Sequence, residues 1–192
     1  MIFSIDNNNL SIEALAGSVS RGNKDLNDIS NINFILNDKK INDEHDIVVK
    51  GILESLKELQ LKFNCSDKSV LTLKNIMHLQ TLIRAKIENF NNPLYILNLL
   101  SPTPALSGYP KKESIKLINK IEDYDRGWYT GSIGWIDTKF NCNFYAGLRS
   151  ILINENKLYI YGGAGITKDS LQDEEWHEIL YKINSIEEMI YE

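Results

Sequence analysis

The chain has 192 residues, a formal net charge of −5 and a hydrophobic share of 43%, so it is able to bury a globular core. Its acidic balance argues against nucleic-acid binding, which needs a basic surface, and no apolar run approaches the roughly 20 residues of a membrane span. The N-terminus lacks the basic segment of a secretory signal, and the cysteines Cys65 and Cys142 stand outside any CxxC pair, which favours free thiols in a cytoplasmic protein.

The N-terminal residues predict a β-hairpin. Residues 1–5 have the pattern of a strand, residues 6–9 that of a turn, and residues 10–15 that of a returning strand. Because the first strand begins at Met1 without a lead-in, we expect the chain to hold part of a larger domain.

The middle of the chain predicts helices and one strand. Residues 21–33 predict a loop or short helices, and a long helix follows from residue 37 or 38 to about residue 61. A strand is predicted over 67–77 with His78 at its end, then a short helix over 94–100 and a further helix from Pro110 to about residue 122. The long helix is predicted from apolar residues at near-helical spacing, which are Ile41, Val48, Ile52, Leu56 and Leu59.

A three-stranded meander is predicted next, with strands over 128–137, 143–153 and 157–161. In the middle strand Arg149 lies on the same face as Gly147, which leaves room beside it. An arginine in the middle of a hydrophobic strand needs a carboxylate partner or a ligand, because burying an unpaired charge is costly.

The C-terminal segment combines a glycine-rich run with a helix that Asp169 or Ser170 is predicted to cap and that extends to about residue 190. On this helix Glu175, Glu178 and Lys182 share one face at spacings of three and four. The predicted apolar stripe beside that face is Trp176, Ile179, Leu180, Ile183 and Ile190. Bare backbone at 162–165, two carboxylates and an ammonium together predict a site for a small anionic ligand held partly through a divalent metal.

Each of these residues also has a structural explanation. Acidic residues such as Glu44, Glu175 and Glu178 are expected near helix starts because they interact favourably with the helix dipole. A histidine such as His78 is commonly a hydrogen-bonded structural residue, and Tyr129 beside an aromatic neighbour is commonly part of a core. Gly17 and Gly108 are typical of turns.

Several short motifs occur in a fixed order along nearly the whole chain. They are EALAGS at 13–18, DEH at 43–45, MHL at 77–79, PTPALSGYP at 102–110, DRGWYTGSIGW at 125–135, LRS at 148–150, GGAGI at 162–166 and EWHE at 175–178. Taken together they resemble the chorismate-binding enzymes, the family that contains isochorismate, salicylate, anthranilate and aminodeoxychorismate synthases. The PTPALSG run is similar to the isochorismate synthase branch.

The resemblance implies an α+β fold of antiparallel sheets with packed helices. Residues 1–192 would form a partial chorismate-binding domain, the C-terminal half of the anthranilate synthase-like αββα sandwich of the family. We therefore expect the complete fold to be about twice as long, with the active site between two related halves.

The resemblance also implies a magnesium site. Glu44 and Glu178 match the family's metal-binding glutamates, and Glu175 matches an additional acid that acts through water. Mg²⁺ suits this set, because it keeps several waters and binds few protein carboxylates.

The remaining matches concern the substrate, chorismate. Arg149 and Tyr129 match residues that bind the enolpyruvyl carboxylate, Gly163 matches a backbone donor to a carboxylate, and Lys182 matches a lysine near the metal. Ala105 and Leu106 match a small apolar pair beside the attacked ring carbon, which is consistent with water as the nucleophile and not ammonia. The other pocket positions that match are Gly17, Ser18, His78 and Thr103.

The implied activity is that of an isochorismate synthase, in which water adds at C2 of chorismate and the C4 hydroxyl is lost. The family's general base, a lysine, and its general acid, a glutamate in a Ser-Pro-Glu run, match nothing in these residues. We therefore expect no catalytic residue here, little activity from the chain alone, and a partner that carries the missing half. Menaquinone and catecholate siderophore synthesis are both open as the pathway.

Two alternatives remain open. One is a salicylate synthase or another chorismate-using enzyme, although the salicylate synthase pattern has an acid three residues before Glu44, where this chain has Ile41. The other is a non-catalytic half that binds chorismate or a partner chain.

Overall fold

The computed structural model describes residues 1–21, 28–73, 76–88 and 92–191. The predicted N-terminal hairpin is confirmed as strands β1 (Phe3–Asp6) and β2 (Asn9–Ser20), with Asp6 opposite Asn9. Its loop residues Asn7 and Asn8 have φ values of 45° and 65°, the left-handed conformation that a two-residue hairpin loop requires and that asparagine tolerates. Of the segment predicted as loop or short helices, residues 22–27 lie outside the described residues.

Two helices follow, α1 (Asp28–Asn37) and α2 (Lys39–Leu56), and a short 3₁₀ turn (Lys57–Leu59) extends the second. The Asp38 carboxylate accepts a hydrogen bond from the Ile41 amide at 2.9 Å and so caps α2. The predicted long helix is confirmed, but it ends before residue 61 because Gln60 has a left-handed φ of 52°.

The main sheet is antiparallel, with the strand order β3-β5-β2-β1-β7-β6 and with β4 also paired to β5. The new strands are β3 (Asn64–Cys65), β4 (Ser69–Thr72), β5 (Ile76–Lys86), β6 (Ser132–Ile136) and β7 (Cys142–Ala146). The prediction of a single strand over 67–77 is wrong, since Thr72 of β4 pairs with Met77 of β5. His78 therefore lies within a long strand and not at a strand end.

Three helices connect β5 to β6: α3 (Pro93–Leu100), α4 (Pro104–Ser107) and α5 (Lys111–Ile121). The first and third agree with the prediction, while the short α4 was not predicted. Gly51 of α2 allows α4 to approach, because a Cβ at Gly51 would lie 2.5 Å from Cγ of Pro104.

The predicted middle strand of the meander is wrong. β7 ends at Ala146, and the chain resumes as a separate two-stranded sheet of β8 (Ile151–Asn154) and β9 (Lys157–Ile160). Gly147 pairs instead with the turn that precedes β6, donating its amide to the Gly131 carbonyl at 2.8 Å. Arg149 follows this break with a left-handed φ of 50° and is exposed, so it is not a buried charge within a strand.

The last helix, α6 (Gln172–Tyr191), begins later than predicted. The capping prediction is wrong, because a helix that begins at Gln172 has neither Asp169 nor Ser170 directly before it; the Ser170 hydroxyl accepts a hydrogen bond from the Thr167 amide at 3.0 Å. The apolar stripe is also partly wrong, because Trp176 and Ile190 are exposed while Ile186, which was not predicted, is buried.

The main core lies between the sheet and helices α2 and α3. Alternate residues of β5 face the core, as expected for a strand with one buried face. Both cysteines are free thiols, and within the described ranges no helix is long and apolar enough to cross a membrane. The core members are Ile2, Phe3, Ile5, Leu10, Ile12, Ala14, Val48, Ile52, Leu56, Ile83, Ala85, Ile87, Ile96, Leu100, Cys142 and Phe144.

Candidate functional site

The starts of α2 and α6 meet through an ion pair. The Lys40 ammonium lies 2.7 Å from the Glu175 carboxylate, across 135 residues of sequence. Glu175 is only 5% exposed although it is an acid in the first turn of its helix. The residue predicted as a water-mediated metal ligand is therefore held by a lysine that the sequence interpretation did not single out.

A second ion pair lies one turn further along α6. The Lys182 ammonium is 2.6 Å from Glu178 and also donates to the Gly163 carbonyl at 2.9 Å. This lysine connects the glycine-rich run to the acidic face of the helix. The structure thus brings together three of the predicted residues.

Glu44 lies in the electrostatic field of both pairs. Burial raises the pKa of Glu44 to about 7; the ammoniums of Lys40 and Lys182 oppose this rise, and the carboxylates of Glu175 and Glu178 add to it. The three predicted ligands therefore repel one another across a common region, while two lysines supply the compensating charge.

Carboxylate oxygens are the ligands that Mg²⁺ prefers, and mutual repulsion of this kind is what a bound divalent cation relieves. The donor chemistry of Glu44, Glu175 and Glu178 therefore fits the ion. However, in the part of the chain that the structure describes, no group of three or more His, Cys, Asp or Glu side chains is arranged to hold a metal ion. The metal role of these residues stays a prediction.

A histidine and a serine from paired strands lie beside this region. Gly17 has a left-handed φ of 75° at a bulge of β2, and a Cβ there would lie 2.5 Å from Cγ2 of Ile41. After this bulge the Ser18 hydroxyl lies 2.8 Å from Nδ1 of His78. The pKa of His78 is lowered by burial and, next, by the positive charges of Arg149 and Lys182.

The influence of Arg149 on His78 places its charge in this region as well. Among the described residues, the Arg149 guanidinium has no ion-pair or hydrogen-bond partner, and it is exposed. The hydroxyl of the next residue, Ser150, is buried and likewise lacks a partner within the described ranges. Binding of a ligand carboxylate by Arg149 remains a prediction.

Tyr129 is buried and packs against the glycine-rich run. A Cβ at Gly163 would lie 2.8 Å from the Tyr129 hydroxyl, so a larger residue there would require the Tyr129 ring to shift. The ring stacks on Tyr161 with centroids 5.1 Å apart, and the Arg126 guanidinium lies 5.9 Å from its centroid. Burial raises the pKa of Tyr129 further above neutrality, and its protonated hydroxyl is able to donate a hydrogen bond.

The predicted residues Thr103, Ala105 and Leu106 lie in and next to α4. The Leu106 carbonyl accepts a hydrogen bond from Arg126 at 3.0 Å, which links α4 to the segment before Tyr129. No hydrogen bond that the structure records for these three residues reaches the carboxylate cluster. Their predicted position beside the attacked ring carbon is not tested by these contacts.

Sequence interpretation missed Lys40 and Arg126. Lys40 precedes Glu44 by one helical turn, a spacing at which side chains meet, and this was the available signal. Arg126 pairs with Glu122 at 2.6 Å in the segment after α5, which ends at Ile121, so helical spacing gave no signal for this pair.

A profile of the family described as chorismate binding enzyme matches residues 1–191. This chain belongs to the chorismate-binding enzyme family. Both the family prediction and the predicted α+β fold are confirmed.

The chain is similar to curated proteins named as isochorismate synthases. It is 33% identical over 178 residues to the salicylate biosynthesis isochorismate synthase of Pseudomonas aeruginosa, covering 92% of this chain and 37% of that protein. It is 31% identical over 173 residues to the isochorismate synthase EntC of Escherichia coli K12, covering 90% of this chain and 44% of that protein. The chain thus spans less than half the length of these relatives.

Solved structures agree with this assignment. The menaquinone-specific isochorismate synthase MenF of Escherichia coli superposes with a TM-score of 0.88 at 29% identity, covering 97% of this chain and 43% of that one. The putative 2,3-dihydroxybenzoate-specific isochorismate synthase DhbC of Bacillus anthracis gives 0.89 at 28% identity, covering 96% and 50%. Anthranilate synthase component I of Streptococcus pneumoniae, at 22% identity and a TM-score of 0.83, shares the fold.

Proposed function

We propose that these residues form the metal- and carboxylate-binding part of an isochorismate synthase, which converts chorismate to isochorismate by adding water at C2 and losing the C4 hydroxyl. The observation that carries the proposal is the meeting of α2, α6 and the glycine-rich run. There Glu175 and Glu178 are ion-paired with lysines, and Lys182 also binds the Gly163 carbonyl. The names of the similar proteins support the same reaction.

In this proposal Glu44 and Glu178 would hold Mg²⁺, and Glu175 would contact it through water. When bound, the ion supplies positive charge that holds the ring carboxylate of the substrate. The chain's own residues then fix the rest of the molecule. Arg149 presents a guanidinium without a partner among the described residues, which suits a carboxylate, and Tyr129 presents a protonated hydroxyl.

Exchange of one hydroxyl for another needs a proton acceptor for the attacking water and a proton donor for the leaving hydroxyl. General acid–base catalysis typically contributes about 10²–10⁴-fold to the rate. No residue in this sequence matches the family's lysine base or its glutamate acid. We therefore propose that turnover requires a chain or segment that carries them, and that the described residues alone bind and orient the substrate.

The exposed surface supports such a partner. The sheet of β8 and β9 pairs with no further strand among the described residues, and a two-stranded sheet alone is marginal in water. Large apolar side chains are exposed on this sheet, including Ile153 at 72% and Leu152 at 49%. Exposed apolar surface of this kind is a candidate interaction site.

The test is complementation. The purified 192-residue chain with Mg²⁺ and chorismate should form almost no isochorismate in an assay coupled to an isochorismate-consuming enzyme. Adding or fusing the N-terminal half of the Pseudomonas aeruginosa relative should produce turnover, and Glu178→Gln should then abolish it by weakening the metal site. Efficient magnesium-dependent turnover by the isolated chain would contradict the proposed division of roles.

The pathway and the cell compartment are also proposals. Relatives named MenF and EntC point to menaquinone and siderophore synthesis respectively, so both are retained. Two free thiols fit a cytoplasmic protein. A non-catalytic half that binds chorismate would give calorimetric binding in the isolated chain and no turnover after complementation.

A further inference from the structure

Lys40 occupies a position that its own helix disfavours. It lies in the first turn of α2, where the helix dipole places partial positive charge and favours acids over lysines. The Asp38 cap already satisfies the helix start, so the lysine is not needed there for capping. Its ammonium instead reaches Glu175 on another helix at 2.7 Å.

Glu175 needs a cation at this place. Its side chain is only 6% exposed, and a buried carboxylate without a partner is strongly destabilising. Lys40 supplies this charge. Because the Lys40 side chain is itself 28% exposed, its ammonium is able to turn away from Glu175 into solvent. The hydrogen bond to Glu175 raises the pKa of Lys40, and the negative charges of Glu175, Glu44 and Glu174 add to this rise.

The two lysines of the cluster are held differently. Lys182 contacts both Glu178 and the Gly163 carbonyl, and is therefore anchored on two sides. For Lys40 the recorded hydrogen bond is the one to Glu175. Of the two ammoniums, Lys40 is the one whose release breaks fewer contacts.

We propose that Lys40 is an internal counter-cation that competes with the hydrated divalent cation for Glu175, so that the water-mediated contact between Glu175 and the ion forms only as Lys40 releases this carboxylate. The inference rests on the metal-binding role proposed above and adds a residue that regulates it.

The test measures binding of Mg²⁺ alone to the full 192-residue chain by isothermal titration calorimetry. Lys40→Met removes the competitor, and we expect its dissociation constant for Mg²⁺ to be about tenfold lower than that of the wild type, a normal size for coupling between two ligands. Lys39→Met is the matched control, because Lys39 is an exposed lysine in the same helical turn. Its dissociation constant should equal the wild-type value.

A second measurement needs no metal. Without divalent cations Lys40→Met should unfold at a lower temperature than the wild type, because Glu175 loses its partner, and Lys40→Met with Glu175→Gln should recover part of the loss. If Lys40→Met does not fold, Lys40→Gln, which keeps a hydrogen-bond donor without the charge, replaces it in both measurements.

The outcomes separate the two proposals. Equal Mg²⁺ affinities in Lys40→Met and wild type would overturn the competition and leave the metal site intact. Absence of Mg²⁺ binding in every variant would overturn the metal site and the competition together. Tighter binding in Lys40→Met, with the lower metal-free unfolding temperature, is the result we expect.

Discussion

At the scale of single residues, the site is governed by which charges are buried and which partner each one has. Glu44 has a pKa raised to about 7, chiefly by burial, while Lys40 and Lys182 balance the neighbouring carboxylates. His78 shows the opposite condition, because burial and the charges of Arg149 and Lys182 lower its pKa. Both effects depend on residues far apart in sequence, so neither was visible in the motifs that predicted the site.

The stability of the fold should depend on pH through His78. Its pKa lies below the ordinary 6.5, so the unfolded chain binds a proton as the pH falls below 6.5 while the folded chain does not yet do so. The free energy of unfolding therefore decreases as the pH falls through this range. Urea unfolding of wild type and His78→Gln at about pH 7.5 and about pH 5.5 isolates this contribution from that of other groups. The stability of the wild type relative to the variant should be smaller at the acidic pH, and a constant difference would show that His78 titrates alike in both states.

At the scale of elements, local signals predicted what local interactions determine. The turn residues at 6–9 predicted the first hairpin. Apolar residues at helical spacing after Asp38 predicted α2. The break between β7 and β8 was missed because it depends on Gly147 pairing with the turn before β6, a contact that strand alternation does not reveal. Arg149 was consequently placed in a strand.

The start of α2 is a single-residue determinant that mutagenesis can measure. Asp38→Ala should lower the free energy of unfolding by about 1 kcal/mol, because the Ile41 amide loses its acceptor. Asp38→Asn keeps a capping oxygen and should stay close to wild type. Urea denaturation of the three proteins provides the comparison, and an equal loss in both variants would assign the effect to the charge of Asp38 and not to the hydrogen bond.

At the scale of the whole molecule, the chain matches its relatives over nearly its full length while covering less than half of theirs. Its strands β8 and β9 stand apart from the main sheet, and their apolar side chains are exposed. The sequence predicted the family and the fold class from ordered motifs, which need no knowledge of packing. It did not predict that the meander divides between two sheets, because alternating inward and outward side chains fit strands in one sheet or in two.

The two thiols of this molecule differ in a way that is experimentally useful. Cys65 is exposed on β3, whereas Cys142 is buried in the core, so a maleimide dye added to the folded chain should attach once, as intact mass spectrometry would show. Reaction at both sites before unfolding would mean that the core around Cys142 opens.

Cys65 lies opposite Ile83, five positions along β5 from His78, which corresponds to about 17 Å along an extended strand. The native sequence therefore offers one attachment point for a fluorophore or spin label, close enough to detect a ligand or a docking chain and outside the groups that would bind it.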